Sequence, residues 1–204
     1  MGSLRLEQLT ATIGTSVIAS VDATVSAGEV LTILGPSGSG KSTILSAISG
    51  TQDPAVSVSG RIILNGRDVT NVVPHLRRVG VLFQDPLLFP HMSVGANLAF
   101  GLAPNLTDRK ARVEAALEDI GMGGFSDRDP ATLSGGQKAR VSLMRVLLSE
   151  PQALLLDEPF SSLDQELRER IRQLVFEHAR GLPTILVTHD LSDAKAAGGK
   201  EIHL

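Results

Sequence analysis

The chain has no cysteine, tryptophan or tyrosine, and six phenylalanines are its whole aromatic complement. Without cysteine, disulfide scaffolds, thiol nucleophiles and cysteine-ligated metals are excluded, and a reducing compartment fits the composition. Neither sign of charge predominates: 19 Lys and Arg stand against 22 Asp and Glu, a net charge of −3. A chain this near to neutral is a poor candidate for wrapping nucleic acid, which needs a basic face. No apolar run approaches the roughly 20 residues that span a bilayer. The first ten residues carry Arg5 and Glu7 and lack the apolar centre of a signal peptide. The chain is therefore expected to stay where it is made, unless a partner holds it at a membrane. What is present is ample for a core: 204 residues, 42% hydrophobic and 20% charged. That is one domain of ordinary size with room for a subdomain.

Strand and helix patterns alternate along the chain. Val17, Ala19, Val21, Ala23 and Val25 alternate with mostly polar or small neighbours, as in a half-buried antiparallel strand. Glu29 to Leu34 is a short apolar run that suits a strand buried on both faces. Ile44, Leu45 and Ile48 have helical spacing, and Gly50 is a helix stop. Arg61 to Leu64 reads as a strand running into an Asn65-Gly66 turn, and Val79 to Phe83 as another strand. From Asp85 to Asp129 the texture changes, with Pro86, Pro90, Gly95, Gly101 and Pro104 as punctuation. One clear helix lies there, with Val113, Leu117 and Ile120 on one face. Helices are then expected over Gln137 to Glu150 and Glu166 to Arg180, and buried strands over Ala153 to Leu156 and Thr184 to Val187. The pattern predicts an α/β fold with a parallel sheet and a site along its carboxyl edge.

Gly35-Pro36-Ser37-Gly38-Ser39-Gly40-Lys41-Ser42-Thr43 lies between a buried strand and a helix and matches G-x-x-x-x-G-K-[ST]. Average composition produces this pattern by chance in on the order of one chain of this length in a hundred, and its placement makes chance rarer still. Glycines let successive N–H groups curl inward on phosphate oxygens, and the helix that follows adds its positive end. Lys41 would sit at the β- and γ-phosphates, and the Ser42 hydroxyl is a hard ligand for Mg²⁺. A bound cation needs a carboxylate, and so does a general base. Asp157-Glu158, directly after three leucines, supplies both: Asp157 near the Mg²⁺ shell, Glu158 on the attacking water. By itself an apolar strand ending in Asp-Glu fits a helix cap or a surface turn equally well. The phosphate loop favours the functional reading.

Leu133-Ser134-Gly135-Gly136-Gln137 resembles the signature of ATP-binding-cassette (ABC) ATPases. Gln84, after a strand end, is similar to that family's Q-loop glutamine, Ser161-Ser162-Leu163-Asp164 to its D-loop and His189 to its switch histidine. The resemblance covers nearly the whole chain. It implies a phosphate-loop NTPase (RecA-like) core with a mostly parallel sheet, an N-terminal antiparallel β region and a helical insert. The implied organisation is a single ABC ATPase domain over residues 1–204, with core segments 1–84 and 133–204 and a helical subdomain at 85–132.

The resemblance also implies ATP and Mg²⁺ as cofactors and a head-to-tail homodimer with two ATP molecules sandwiched in it. One copy would hold ATP through Gly35 to Thr43. The other would reach it with Ser134, Gly135, Gly136, Gln137 and Asp164. Ser42, Gln84 and Asp157 would take the metal, and Glu158, His189, Lys41 and Gln84 would act in catalysis. Val81 to Val94 is similar to importer ATPases for thiamine, polyamine, sulfate or iron. Integral membrane permease subunits are then the partners, with Leu87, Leu88, Phe89 and Met92 receiving them, although each of the four fits burial within the helical insert equally well. The chain would lie at the cytoplasmic face of the membrane without inserting, and no nucleic-acid partner is expected. The chain stops soon after His189, so no regulatory domain is expected there.

The family usually stacks adenine on an aromatic residue. Here none precedes Phe83, and Ile13 stands about where it would be, which predicts modest affinity and weak ATP/GTP discrimination. A soluble ATPase of the same fold acting on nucleic acid or protein complexes is the alternative. Such relatives carry a long coiled coil, a second cassette or a basic face, and none is visible. A phosphate-loop kinase would leave Leu133 to Gln137 unexplained. The Arg77-Arg78 and Arg109-Lys110 pairs read as solvated faces. His75, His91, His178 and His203 show no metal-ligand spacing.

Overall fold

A computed structural model describes residues 2–161 and 163–204. In chain order the elements begin with β1 (Ser3–Ile13), β2 (Ser16–Ser26), β3 (Val30–Leu34), α1 (Lys41–Ser49), β4 (Val56–Leu64) and β5 (Arg67–Asp68). Next come α2 (Pro74–Arg77), β6 (Val79–Leu82), α3 (Val94–Gly101), α4 (Arg109–Asp119) and α5 (Gly135–Leu147). The last are β7 (Ala153–Asp157), α6 (Gln165–His178), β8 (Thr184–Thr188), α7 (Leu191–Ala197) and β9 (Lys200–His203). The chain divides into two compact units. One takes the residues up to Val81, Gln152–Glu158 and Phe176–Leu204; the other takes Leu82–Pro151 and Pro159–Val175.

The first unit has two sheets. One is antiparallel, in the order β2-β1-β4-β5; the other has five strands in the order β6-β7-β8-β3-β9, with β8 parallel to both β3 and β7 and β9 parallel to β3. Asn65 (φ 53°) and Gly66 (φ 80°) make the tight turn that pairs Leu64 with Arg67. The central strands β3, β7 and β8 are buried almost throughout, which is why their sequences are unbroken apolar runs. Ile44, Leu45 and Ile48 of α1 share one core with Leu4, Leu6, Leu9 and Val21 of the antiparallel sheet and with Ile33, Leu155 and Ile185 of the parallel one. The phosphate loop precedes this helix, so it is anchored to both sheets at once.

The alternation expected in β2 holds from Ala19 to Val25 and breaks before it. Ala11 pairs with Ala19, but Thr12 pairs with Val17, leaving Ile18 as an extra residue in a β-bulge. Val17 is consequently 63% exposed rather than inside.

The second unit has its own core, built from Val94 and Leu98 of α3, Val113 and Leu117 of α4, and Val141 and Met144 of α5. The sequence pattern shows one clear helix, α4, within 85–129. Gly95 and Gly101 look like breakers and hide the short helix α3 from the sequence pattern. Both are close-approach positions: a Cβ on Gly95 would strike Ser126, and one on Gly101 would strike the Arg145 carbonyl.

Two of the arginines read as solvated are structural. Arg77 is 5% exposed. Its guanidinium donates to the carbonyls of Ala47 (2.8 Å) and Ile48 (2.9 Å) at the end of α1, and to Thr70 (2.7 Å) and Val72 (2.6 Å). Arg109 does the same for α3, donating to Ala99 (2.7 Å), Leu102 (3.1 Å) and Ala103 (2.5 Å). The last carbonyls of a helix lack partners and sit at its negative end, so a cation there satisfies both needs.

Candidate functional site

In the first unit the phosphate loop leaves β3 at Leu34 and enters α1 at Lys41. Gly38 (φ 83°) and Gly40 (φ 92°) take left-handed backbone that favours glycine. A Cβ on Gly40 would also stand 2.9 Å from Ala19 Cβ and 3.0 Å from Ile18 Cγ2. Gly40 is the N-cap of α1 and supplies no side-chain acceptor, so the first amides of the helix are left for a ligand. Pro36, Ser37, Gly38 and Ser42 are exposed, and Ser39 Oγ is buried without a hydrogen-bond partner among the described residues. Lys41 is 4% exposed; its Nζ donates to Gly35 O and Pro36 O, both at 2.8 Å. A cavity of about 300 Å³ is lined by Ile18, Ser37, Gly38, Gly40, Lys41, Ser42, Thr43 and Glu158.

The carboxylates come from the end of β7. Asp157 is the last residue of the strand, opposite Val187 of β8, and Glu158 follows with φ 45°. That turn sends the two side chains different ways. Ser42 Oγ donates to Asp157 Oδ1 at 3.1 Å. Glu158 Oε1 lies 3.9 Å from Lys41 Nζ, and Oε2 lies 3.0 Å from His189 Nδ1. Burial raises the Asp157 pKa, with repulsion from Glu158 adding to it; the Ser42 hydrogen bond and Lys41 oppose the shift. His189 sits beyond β8 in a turn where the Asp190 N–H donates to Thr188 Oγ1 at 3.0 Å, and Thr188 Oγ1 approaches the buried Asp193 Oδ2 at 3.4 Å. Lys41, Ser42, Asp157, Glu158 and His189, far apart in sequence, thus share one corner of the first unit.

Ile13, expected at the base, lies at the end of β1, 49% exposed, and does not line this cavity. The aliphatic residue that does is Ile18. Its alternation put it on the wrong face, and only the register shift in the hairpin re-aims it.

The other predicted residues belong to the second unit. Gln84 is exposed, just past β6. Ser134 is the N-cap of α5: its Oγ accepts from the Gln137 N–H at 3.3 Å, while Gln137 Oε1 accepts from the Ser134 N–H at 2.9 Å. Gly136 is buried, and a Cβ there would stand 2.9 Å from Leu167 Cδ2. Gly135 is exposed; nothing else among the described residues comes within 4 Å of where its Cβ would be. Asp164 Oδ1 accepts from the Leu167 N–H at 3.0 Å, at the start of α6. Ser162, expected in the D-loop, lies outside the described residues. Among those residues no helix is long and apolar enough to cross a membrane, and no group of three or more His, Cys, Asp or Glu is placed to hold a metal ion.

A strand, a phosphate-binding loop and a helix, with an acidic pair on a neighbouring strand, define a phosphate-loop nucleotide-binding protein. A profile of the ABC transporter family matches residues 18–161, and the chain belongs to that family. It binds ATP and is an ATPase. It is similar to the uncharacterized ABC transporter ATP-binding protein YnjD of Escherichia coli K12, 47% identical over 183 residues, which are 88% of this chain and 84% of the relative. It resembles the Fe(3+) ions import ATP-binding protein FbpC of Brucella abortus, 42% identical over 201 residues, spanning 96% of this chain but 56% of the relative. The thiamine import ATP-binding protein ThiQ of Cereibacter sphaeroides is 45% identical over 179 residues, 85% of this chain and 76% of its own length.

Proposed function

We propose that this chain powers solute import through separate membrane-spanning subunits, closing as a head-to-tail homodimer around two ATP molecules at the cytoplasmic face of the membrane. The import names of the relatives support the direction and the permease partners. On this reading residues 1–204 work as a single ATPase domain, with core segments 1–84 and 133–204 and a helical subdomain at 85–132. The observation that carries the catalytic assignment is Glu158, held between Lys41 and His189 at the edge of the phosphate-loop cavity.

The residues then take these roles. The loop amides of Gly35 to Thr43 bind the phosphates, and Lys41 exchanges the carbonyls of Gly35 and Pro36 for β- and γ-phosphate oxygens. Glu158 accepts a proton from the attacking water, and His189 orients that carboxylate and reaches the γ-phosphate. Ser42, Asp157 and Gln84 would hold Mg²⁺. The first two fit: a hydroxyl and a burial-strained carboxylate face each other 3.1 Å apart, and a hard cation takes such oxygens together with phosphate and water. Bound there, the ion would neutralise charge on the transferring phosphoryl group. Ser134, Gly135, Gly136, Gln137 and Asp164 face the ATP of the second copy. The open space over Gly135 supports this, because nothing among the described residues requires a glycine there.

Glu158→Gln tests the reading. The variant should bind ATP, lose turnover and run as a dimer on gel filtration with ATP and Mg²⁺. A variant that binds ATP yet stays monomeric overturns the sandwich.

A further inference from the structure

Arg77, Arg109 and Arg140 each meet backbone carbonyls at the end of a helix, and they do so unequally. Arg77 donates to four carbonyls and Arg109 to three. Arg140, on α5, gives one N–H to Ile120 O at 3.0 Å, at the C-cap of α4, and makes no ion pair among the described residues. Capping a carbonyl takes one donor, and a guanidinium carries several more in a fixed planar fork. Those remaining donors have no partner among the described residues.

Arg140 also lines a cavity of about 280 Å³ that lies wholly within the second unit. Leu167, Arg170, Ile171 and Leu174 of α6 form one side of it; residues three and four apart share a helix face. Ile120 adds a further apolar wall. The two other charged groups at the cavity are committed already. Arg170 is paired with Glu166, and Asp119 is not a free carboxylate. What the cavity offers a ligand is therefore one uncommitted guanidinium opposite aliphatic side chains.

Charge and shape select the occupant. A planar fork meets a carboxylate through two parallel hydrogen bonds. One positive charge balances one negative charge, whereas a phosphate monoester, close to doubly charged at neutral pH, would be left half neutralised. The aliphatic walls favour an apolar tail over a bare anion. At roughly 30 Å³ for each water-sized group, the cavity holds about nine non-hydrogen atoms. We propose that this cavity is a binding site for a short aliphatic monocarboxylate, its carboxylate on Arg140 and its tail against Leu167, Ile171 and Leu174.

Leu167 gives the site a consequence. The same side chain fills the space over Gly136, where a Cβ would stand 2.5 Å from Leu167 Cδ1. An occupant behind Leu167 holds it against the signature glycine. On the head-to-tail reading, in which that glycine closes on the second copy's ATP, an occupied cavity slows turnover. Binding itself does not rest on that reading.

Isocaproate, a branched monocarboxylate of this size, is the probe. It is titrated into the whole chain and followed through isotope-labelled isoleucine and leucine methyl groups by NMR. Saturable shifts are expected at Ile120, Leu167, Ile171 and Leu174, with a Kd on the order of 1 mM, and none at Ile18 by the phosphate loop. Acetate lacks the tail and isocaproamide lacks the charge; each should bind at least about tenfold more weakly. Inorganic phosphate should leave Ile171 unmoved. Arg140→Gln keeps a donor for Ile120 O but no charge, and should weaken isocaproate by at least about tenfold. The amide comparison needs no variant, so it decides the matter should Arg140→Gln not fold. Shifts at Ile18 instead, no saturable shift at Ile171, or equal affinity for acid and amide overturns the site. As isocaproate fills it, kcat should fall at least about twofold with ATP affinity unchanged, and Arg140→Gln should abolish that response. A constant kcat overturns the control of turnover. A Glu158→Gln variant that stays monomeric removes the second copy and leaves the methyl shifts in place, so the two failures are distinct.

Discussion

Glu158 Oε2 lies 3.0 Å from His189 Nδ1, while Oε1 of the same carboxylate lies 3.9 Å from Lys41 Nζ. One side chain thus spans the gap between the phosphate loop and the turn after β8. A general base must be aimed before it is useful, and here the aim depends on a residue 31 positions away in sequence. His189→Ala should therefore lower kcat by about 10²-fold or more with little change in ATP affinity. Steady-state kinetics beside equilibrium nucleotide binding will check it; a kcat within threefold of the parent would remove His189 from the mechanism.

Arg77 supplies a prediction about stability. Arg77→Met strips four backbone carbonyls of their donor in a site closed to water. The cost should be about 3 kcal/mol or more, a fall in Tm of roughly 6–12 °C for a chain of this size. Thermal unfolding followed by circular dichroism measures it. Gly50→Ala should lower Tm as well, since Gly50 has φ 80° and a Cβ there would stand 2.7 Å from the same guanidinium.

The two isoleucines near the hairpin separate by nucleotide affinity. Ile18→Ala removes apolar surface from the wall of the loop cavity and should weaken ATP binding by about 1 kcal/mol, some fivefold. Ile13→Ala should change it by less than twofold, because Ile13 does not line that cavity. Titration calorimetry on both variants decides, and equal losses would contradict the assignment of Ile18.

The neighbouring glycines of the signature should part company too. Gly136→Ala crowds Leu167 and should cost about 1–3 kcal/mol of stability. Gly135→Ala meets nothing among the described residues of its own chain and should leave Tm within about 2 °C, yet lower kcat if a second copy's nucleotide packs against it. A Gly135→Ala variant with full kcat would argue that no ligand approaches there.

Much of this was legible in the sequence because it depends on short-range chemistry. Gly35 to Thr43 announces its loop through glycine spacing, and Leu154 to Leu156 announces a buried strand because a strand covered on both faces has no polar side to show. The signature at Ser134 is equally local: a serine and a glutamine three residues apart close a capping box whatever surrounds them. Other features were illegible for a common reason. Arg77, Arg109 and Arg145 are charged, and charge in a sequence suggests solvent. Each is spent on carbonyls of backbone that only folding brings near.

The sequence alone determined the alternation of strands and helices, the phosphate loop and the acidic pair after β7, since each follows from the preferences of residues within a few positions of one another. Tertiary structure decided which face Ile18 presents, which arginines are buried and how Glu158 meets both Lys41 and His189. Those outcomes turn on one extra residue in a strand pairing, on helix ends that need donors, and on the order in which β7, β8 and β3 lie side by side. No local preference encodes such distances. They exist only once the core has closed and set separate parts of the chain at fixed separations.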